Sequence, residues 1–346
     1  MKEIFTPISS EDKLHKNFKF VSNNKLMQPA KLLIEEITSN MDDNDGNFIQ
    51  QFQTTGFNSR LWEIFLFKFL SVNGFSFNNN HNRPDFHVEK NQIDLYIEAS
   101  LSNEVEKELF TREYIEKAEK ENDLKVQKEL IEHYIMRMGS VLYSKLQKKY
   151  WKLDWVKNKP LILAITPAHN HMASFMPDAK IIEYLYGLSY ESKSTDSELV
   201  PLELKKTEVH KYKEKEIPSN FFSLENTENI SAVLFTNNSD LHKFNRMSYQ
   251  NGMSDLSLIM ERVGLAFDQT PSAFPVKFSQ SIKPGEIKED WNEAVSLFHN
   301  PNAKFPIDKG LFGNIREIWI NEDGDIDGTI PEFFPFNSKT GCAIIE

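Results

Sequence analysis

Apolar positions recur most regularly over residues 58–72, where Leu61, Ile64, Phe65, Phe69 and Val72 fall near helical spacing. Asn73-Gly74 marks the expected end of that helix. Upstream, residues 29–37 (PAKLLIEEI) predict a short helix, and residues 40–47 (NMDDNDGN) read as a loop on composition. Downstream, Phe75-Ser76-Phe77 predicts a brief strand, and residues 84–89 and 92–100 predict two strands around a Lys90-Asn91 turn. In the second of these, Ile93, Leu95 and Ile97 alternate with Asp94, Tyr96 and Glu98, the pattern of a strand with one dry and one wet face. Residues 103–134, dense in Glu and Lys, read as an exposed helical insertion.

Residues 135–151 predict a further helix with Ile135, Met138, Leu142 and Leu146 on its apolar side. Arg137, Ser144, Lys145 and Lys148 cluster on another side. The continuous apolar run 161–165 is typical of a strand buried on both faces. Beyond Thr166 the pattern weakens to a helix over 177–186, a Ser-, Glu- and Lys-rich excursion over 189–216 and a buried strand over 230–235. The remainder is punctuated by prolines into short segments and turns, and no internal repeat stands out. The expected fold class is α/β, a central mixed β-sheet flanked by helices. Residues 1–54 form an N-terminal helical segment, 55–170 the core with its insertion at 103–134, and 171–346 an α+β extension packed on the core.

Composition narrows the function classes. With 40% apolar and 26% charged residues the chain has ordinary globular usage and can bury a core. No run of about 18 apolar residues occurs, so no membrane-spanning helix is expected. The segment MKEIFTPISSEDKLHK lacks the apolar stretch of a signal peptide. The single cysteine, Cys342, excludes an intramolecular disulfide and cysteine-based zinc sites, and a cytoplasmic location is expected. A net charge of −11 opposes non-specific coating of nucleic acid while leaving room for a local basic groove.

Within this order of elements, three acids form a set. Glu63 lies on the first long helix, Asp85 opens one of the two paired strands and Glu98 stands near the end of the other. Neighbouring strands lie about 4.8 Å apart, so a tight turn between Asp85 and Glu98 allows their carboxylates to meet. Such a set suits Mg²⁺, which prefers hard oxygen ligands and polarises a scissile phosphate.

At Pro84-Asp85, at Glu98-Ala99-Ser100 and at Glu63 in Leu61-Trp62-Glu63, the chain resembles the PD-(D/E)XK, or restriction-endonuclease-like, nuclease superfamily. The segment 137–150 resembles a helix of an uncharacterised bacterial branch of it, and the resemblance covers roughly residues 55–167. It implies a Mg²⁺- or Mn²⁺-dependent nuclease acting on DNA, with Asp85 and Glu98 binding metal and Glu63 assisting. The lysine expected two positions after the second acid is Ser100 here. Lys145 and Lys148 are the candidates to replace it, and Arg137, Ser144 and Ser100 are candidate nucleic-acid contacts.

Plainer readings stand beside these. Glu63 and the basic helix residues also fit a solvated helix face, Asp85 fits a turn after Pro84, and Glu98 fits surface charge. The second hypothesis is therefore a nuclease-fold binding module without catalysis, and a third is an interaction protein of another α/β fold. Asp94 reads as a neighbour on the strand face. His169-Asn170-His171 has zinc-ligand spacing but no partner cluster, so a loop is preferred. Residues 323–328 (DGDIDG) resemble the start of a calcium loop, yet Phe334 stands at its twelfth position and Pro331 intervenes, so a hairpin turn is preferred. Lys339-Thr340-Gly341 is a chance match to a motif of penicillin-recognising enzymes. Arg246 reads as a surface basic residue in preference to a phosphate contact.

Overall fold

The computed structural model describes residues 3–43, 46–103, 110–170, 172–176, 178–192, 202–268 and 275–345. Helices α1 (Lys16–Asn23), α2 (Gln28–Ser39) and α3 (Phe48–Gln53) lead into α4 (Phe57–Val72). Strands β1 (Ser76–Phe77), β2 (Phe86–Lys90) and β3 (Ile93–Ser102) follow, then α5 (Arg112–Lys120), α6 (Leu124–Leu146) and β4 (Leu161–Pro167). After α7 (Ala179–Tyr186) come the hairpins β5 (Leu188–Ser192) with β6 (Leu202–Lys206) and β7 (Val209–Tyr212) with β8 (Lys215–Pro218). The chain continues through β9 (Ala232–Thr236), α8 (Leu241–Gln250), β10 (Leu258–Phe267), β11 (Val276–Ser281), β12 (Val295–His299), β13 (Arg316–Ile320), β14 (Ile326–Thr329) and β15 (Phe334–Ile344).

A mixed sheet of eight strands in the order β1-β2-β3-β4-β9-β12-β13-β14 runs through the molecule, flanked by helices on both faces. β1, β2 and β3 pair antiparallel in succession, and β4 adds parallel to β3 after the α6 crossover. The β2–β3 turn is Asn91-Gln92, both at positive φ, which suits the twist of a two-residue hairpin loop. Residues beyond 171 complete this sheet with β9, β12, β13 and β14, where an extension packed on a finished core was expected. The three-stranded sheet β11-β10-β15 lies apart from it.

The two faces of β3 explain one departure from the sequence pattern. Leu95 and Ile97 sit in an apolar core with α4, while Tyr96, of Glu98's parity, sits in a second core with α6 and α7. The expected wet face is therefore buried. α6 is one helix of 23 residues with no break at 134, and it covers that face. The expected insertion is likewise not simply exposed, because Phe110, Ile115, Val126, Leu130 and Met136 form a small core with Tyr212. Helix α4 is buried nearly all round, at Leu61, Trp62, Ile64, Phe65, Leu66, Phe69 and Leu70, whereas Val72, expected on its apolar side, is exposed.

The proline-punctuated C-terminal region holds the long strands β10 and β15 instead of the short segments expected. Their ladder runs from Leu258↔Ile344 to Phe267↔Phe334. The β13–β14 hairpin turn falls at 321–325, with Ile326–Gly328 already in β14, and in it Asn321 Oδ1 accepts from the Asp323 and Asp325 N–H groups. No described helix is long and apolar enough to cross a membrane.

Candidate functional site

Asp85 directly precedes β2, whose Phe86 pairs with Ile97, so Asp85 stands opposite the Glu98–Ala99 stretch of β3. Its Oδ2 accepts a hydrogen bond from the Ala99 N–H at 2.7 Å, tying it to the neighbouring strand. Side chains fasten the loop that delivers it. Trp155 Nε1 donates to the Arg83 carbonyl (2.9 Å) and stacks on His81, and Asn79 Nδ2 donates to Asp42 Oδ2 (2.6 Å).

Glu98 lies mid-strand, since β3 continues to Ser102, and is 4% exposed. Its Oε1 accepts from Lys145 Nζ at 2.6 Å and from the Tyr150 hydroxyl at 2.8 Å. Lys145 comes from the last turn of α6 and Tyr150 from the 3₁₀ turn that follows. Burial, and then the Glu98 charge, raise the Tyr150 pKa, so the phenol keeps its proton and acts as a donor. Glu63 projects from α4, where Arg60, one turn earlier, donates to its Oε2 at 2.5 Å. Arg60 is itself held by Gln51 Oε1.

Asp85 and Glu63 line one cleft of about 280 Å³ together with Asp42, Asp43, Arg60 and Asn79. Asp85 is exposed through that cleft. The Asp85 carboxyl pKa is raised well above its ordinary value, first by desolvation and then by the charges of Glu98 and Glu63. The Ala99 N–H and Lys145 oppose this. The electrostatics thus link the three acids named from sequence, with Asp85 between the α4 side and the α6 side of the sheet. Among the described residues, no three His, Cys, Asp or Glu side chains are grouped closely enough to hold a metal ion between them. Lys145 and Tyr150 on Glu98, and Arg60 on Glu63, occupy part of the acids' hydrogen-bonding capacity instead.

The remaining sequence candidates scatter. Lys148 and Ser144 are exposed, and the hydrogen bond assigned to Glu98 from a lysine is that of Lys145 alone. Arg137 lies eight residues before Lys145, about 12 Å along the helix, and donates to the Asn103 carbonyl at 2.6 Å. Ser100 is buried under α6 with its hydroxyl unpartnered, which removes it from any surface contact with nucleic acid. Asp94 pairs with His87 and, at 2.6 Å, with Lys159, away from Glu98. His169 Nδ1 meets Ser102 Oγ at 2.6 Å, and His171 lies outside the described residues.

Sequence reasoning missed Tyr150, Arg60, Asp42 and Asp43. The acidic run 42–43 was visible but its loop composition carried no sign of where it folds back. Comparison with family models, with curated proteins and with solved structures finds no match to this chain.

Proposed function

We propose that the protein is a Mg²⁺- or Mn²⁺-dependent nuclease with a restriction-endonuclease-like core, hydrolysing phosphodiester bonds, of DNA in the first instance. The observation that carries this reading is the placement of Asp85 beside β3, through the Ala99 N–H, with Lys145 on Glu98. It sets two acids and a lysine on adjacent elements. The order α4–β1–β2–β3–α5–α6–β4, with β1 to β3 antiparallel and β4 parallel to β3, supports the same core. Lys145, reaching over from α6, supplies the amine that Ser100 cannot.

A cleft walled by Asp42, Asp43, Glu63 and Asp85 repels phosphate unless cations offset its charge. The donor set is all hard oxygen, which fits a divalent ion, and after desolvation the charges of Glu98 and Glu63, which such an ion would offset, raise the Asp85 pKa further. When bound, the ion supplies Lewis-acid polarisation of the scissile phosphate. Asp85 and Glu98 would hold and orient it, Glu63 would support a second ion or a water, and the Lys145 ammonium would stabilise negative charge developing on the phosphate. Glu98 Oε1 accepts from Lys145 and Tyr150, so its other oxygen would be the one to meet an ion.

That closure also favours a second reading, in which the fold is retained as a binding module without catalysis. Incubation of plasmid and single-stranded DNA with the protein and Mg²⁺ or Mn²⁺ separates the two. Cleavage that disappears in Asp85→Ala supports the nuclease. Cleavage that persists in Asp85→Ala removes the site assignment, and metal-independent DNA binding without cleavage supports the module.

A further inference from the structure

A second cavity, of about 490 Å³, lies where α8 meets the β10–β15 ladder and shares no lining residue with the carboxylate cleft. Its wall is built from buried charge. Arg262 occupies an inward position of β10 and is 0% exposed. Its Nε donates to Ser338 Oγ (3.1 Å) and its Nη1 to Glu293 Oε2 (2.7 Å), while Nη2 has no hydrogen-bond partner among the described residues. Arg246, 1% exposed, donates to Thr340 Oγ1 (2.6 Å), to Asn238 Oδ1 (2.9 Å) and to both oxygens of Glu289. Lys243 completes the set, donating to Glu289 Oε1 at 2.8 Å.

The charge count leaves an excess. Two guanidiniums and the Lys243 amine face two carboxylates, Glu289 and Glu293. Burial lowers the pKa of Lys243 and, followed by the Glu289 charge, raises that of Glu293. With Lys243 and Glu293 both charged the sum is three minus two; with both neutral it is two minus one. In both states the cluster itself carries one positive charge, and Asp240, which lines the cavity and acts on Arg246, faces it. An orphaned N–H in a native interior calls for a partner.

We propose that this cavity binds a phosphate-bearing small molecule of mononucleotide size, with the phosphate on the Arg262 guanidinium. A guanidinium presents its donors as a fork that matches phosphate oxygens. The Ser338 and Thr340 hydroxyls border the same wall, and Lys339 adds a charge at the exposed mouth. Asp240 and Glu116 also line the cavity, but the Asp240 carboxylate caps α8 by accepting from the Lys243 N–H. Met172 and Phe175 also line the cavity and give a non-phosphate portion an apolar surface. The volume falls within the range of small-molecule sites. The proposal does not depend on the nuclease reading.

Calorimetric titration of the full chain with adenosine monophosphate, inorganic phosphate and adenosine tests it. Saturable binding of the monophosphate is expected, at least about tenfold tighter than inorganic phosphate, with no binding of adenosine. Arg262→Gln is expected to abolish it. Lys339→Glu, on the exposed rim, is expected to weaken it about tenfold with the melting temperature unchanged, and it decides the matter if Arg262→Gln fails to fold. Absence of saturable monophosphate binding at about 10 mM, adenosine binding as tightly as the monophosphate, or indifference to Lys339→Glu overturns the proposal.

Discussion

Replacing Glu289 by Gln strips the buried cluster of its central charge and leaves the shape nearly unchanged. Glu289 is fully buried and accepts from Lys243 (2.8 Å), Arg246 (2.6 and 2.9 Å) and Asn238 (3.2 Å), with Arg262 at 3.5 Å. Burial alone would raise its pKa, yet Arg246, Lys243 and Arg262 together hold the carboxyl well below its usual range. In Glu289→Gln the three cations share only Glu293. Removing one partner of a buried ion pair costs about 3–5 kcal/mol, a large share of the roughly 5–15 kcal/mol that stabilises a folded protein. Urea unfolding followed by circular dichroism should show the midpoint falling sharply with the slope unchanged. A loss below about 1 kcal/mol, the scale of an exposed pair, would refute the reasoning.

Three further outcomes follow from the same structure. Asp85 titrates near 3.8 when unfolded and higher when folded, so its contribution to stability is fully present below 3.8 and lost as pH rises through the folded pKa; metal-free Asp85→Asn should therefore melt higher than the parent at pH 7, and a lower melting temperature there would contradict this. Burial, then Arg137, lowers the His133 pKa to about 4, and burial, then His133, lowers that of His169 to about 3. Their stabilising contribution is present above 6.5 and drains away as pH falls towards 4 and then 3, so His133→Gln should lose stability less steeply between pH 6.5 and 4 in thermal melts. Gly139→Ala places a Cβ 2.6 Å from Ile217 Cδ1 and 2.8 Å from the Tyr184 ring, between α6 and its neighbours. Despite alanine's better helix propensity, overpacking should destabilise by about 1–3 kcal/mol in urea melts, and a gain in stability would show that the interface yields.

Local chemistry was legible where it is short-ranged. The Phe57–Val72 helix, the β2–β3 hairpin and the buried β4 follow from periodicity and turn residues within each segment. The position of Asp85 opposite the Glu98–Ala99 stretch was legible too, because a hairpin fixes which residues of its two strands face each other. The wetness of β3's Glu98 face was misread, since its cover, α6, lies far along the chain and pairs Lys145 and Tyr150 with the acid only in the fold. The same distance hid the entry of Asp42 and Asp43 into the cleft. Arg246 and Arg262 resisted sequence reading for another reason. A charged residue reads as surface by default, and only the convergence of α8, β10 and the segment holding Glu289 makes their burial possible.

Titration with Mn²⁺, followed by its electron paramagnetic resonance signal, tests most directly whether Asp85 and Glu98 share one divalent ion. Saturable loss of the free-ion signal is expected in the parent protein, with binding at least about tenfold weaker in Asp85→Asn and in Glu98→Gln alike. Equal Mn²⁺ binding by the parent and both variants, or none by the parent, would contradict it.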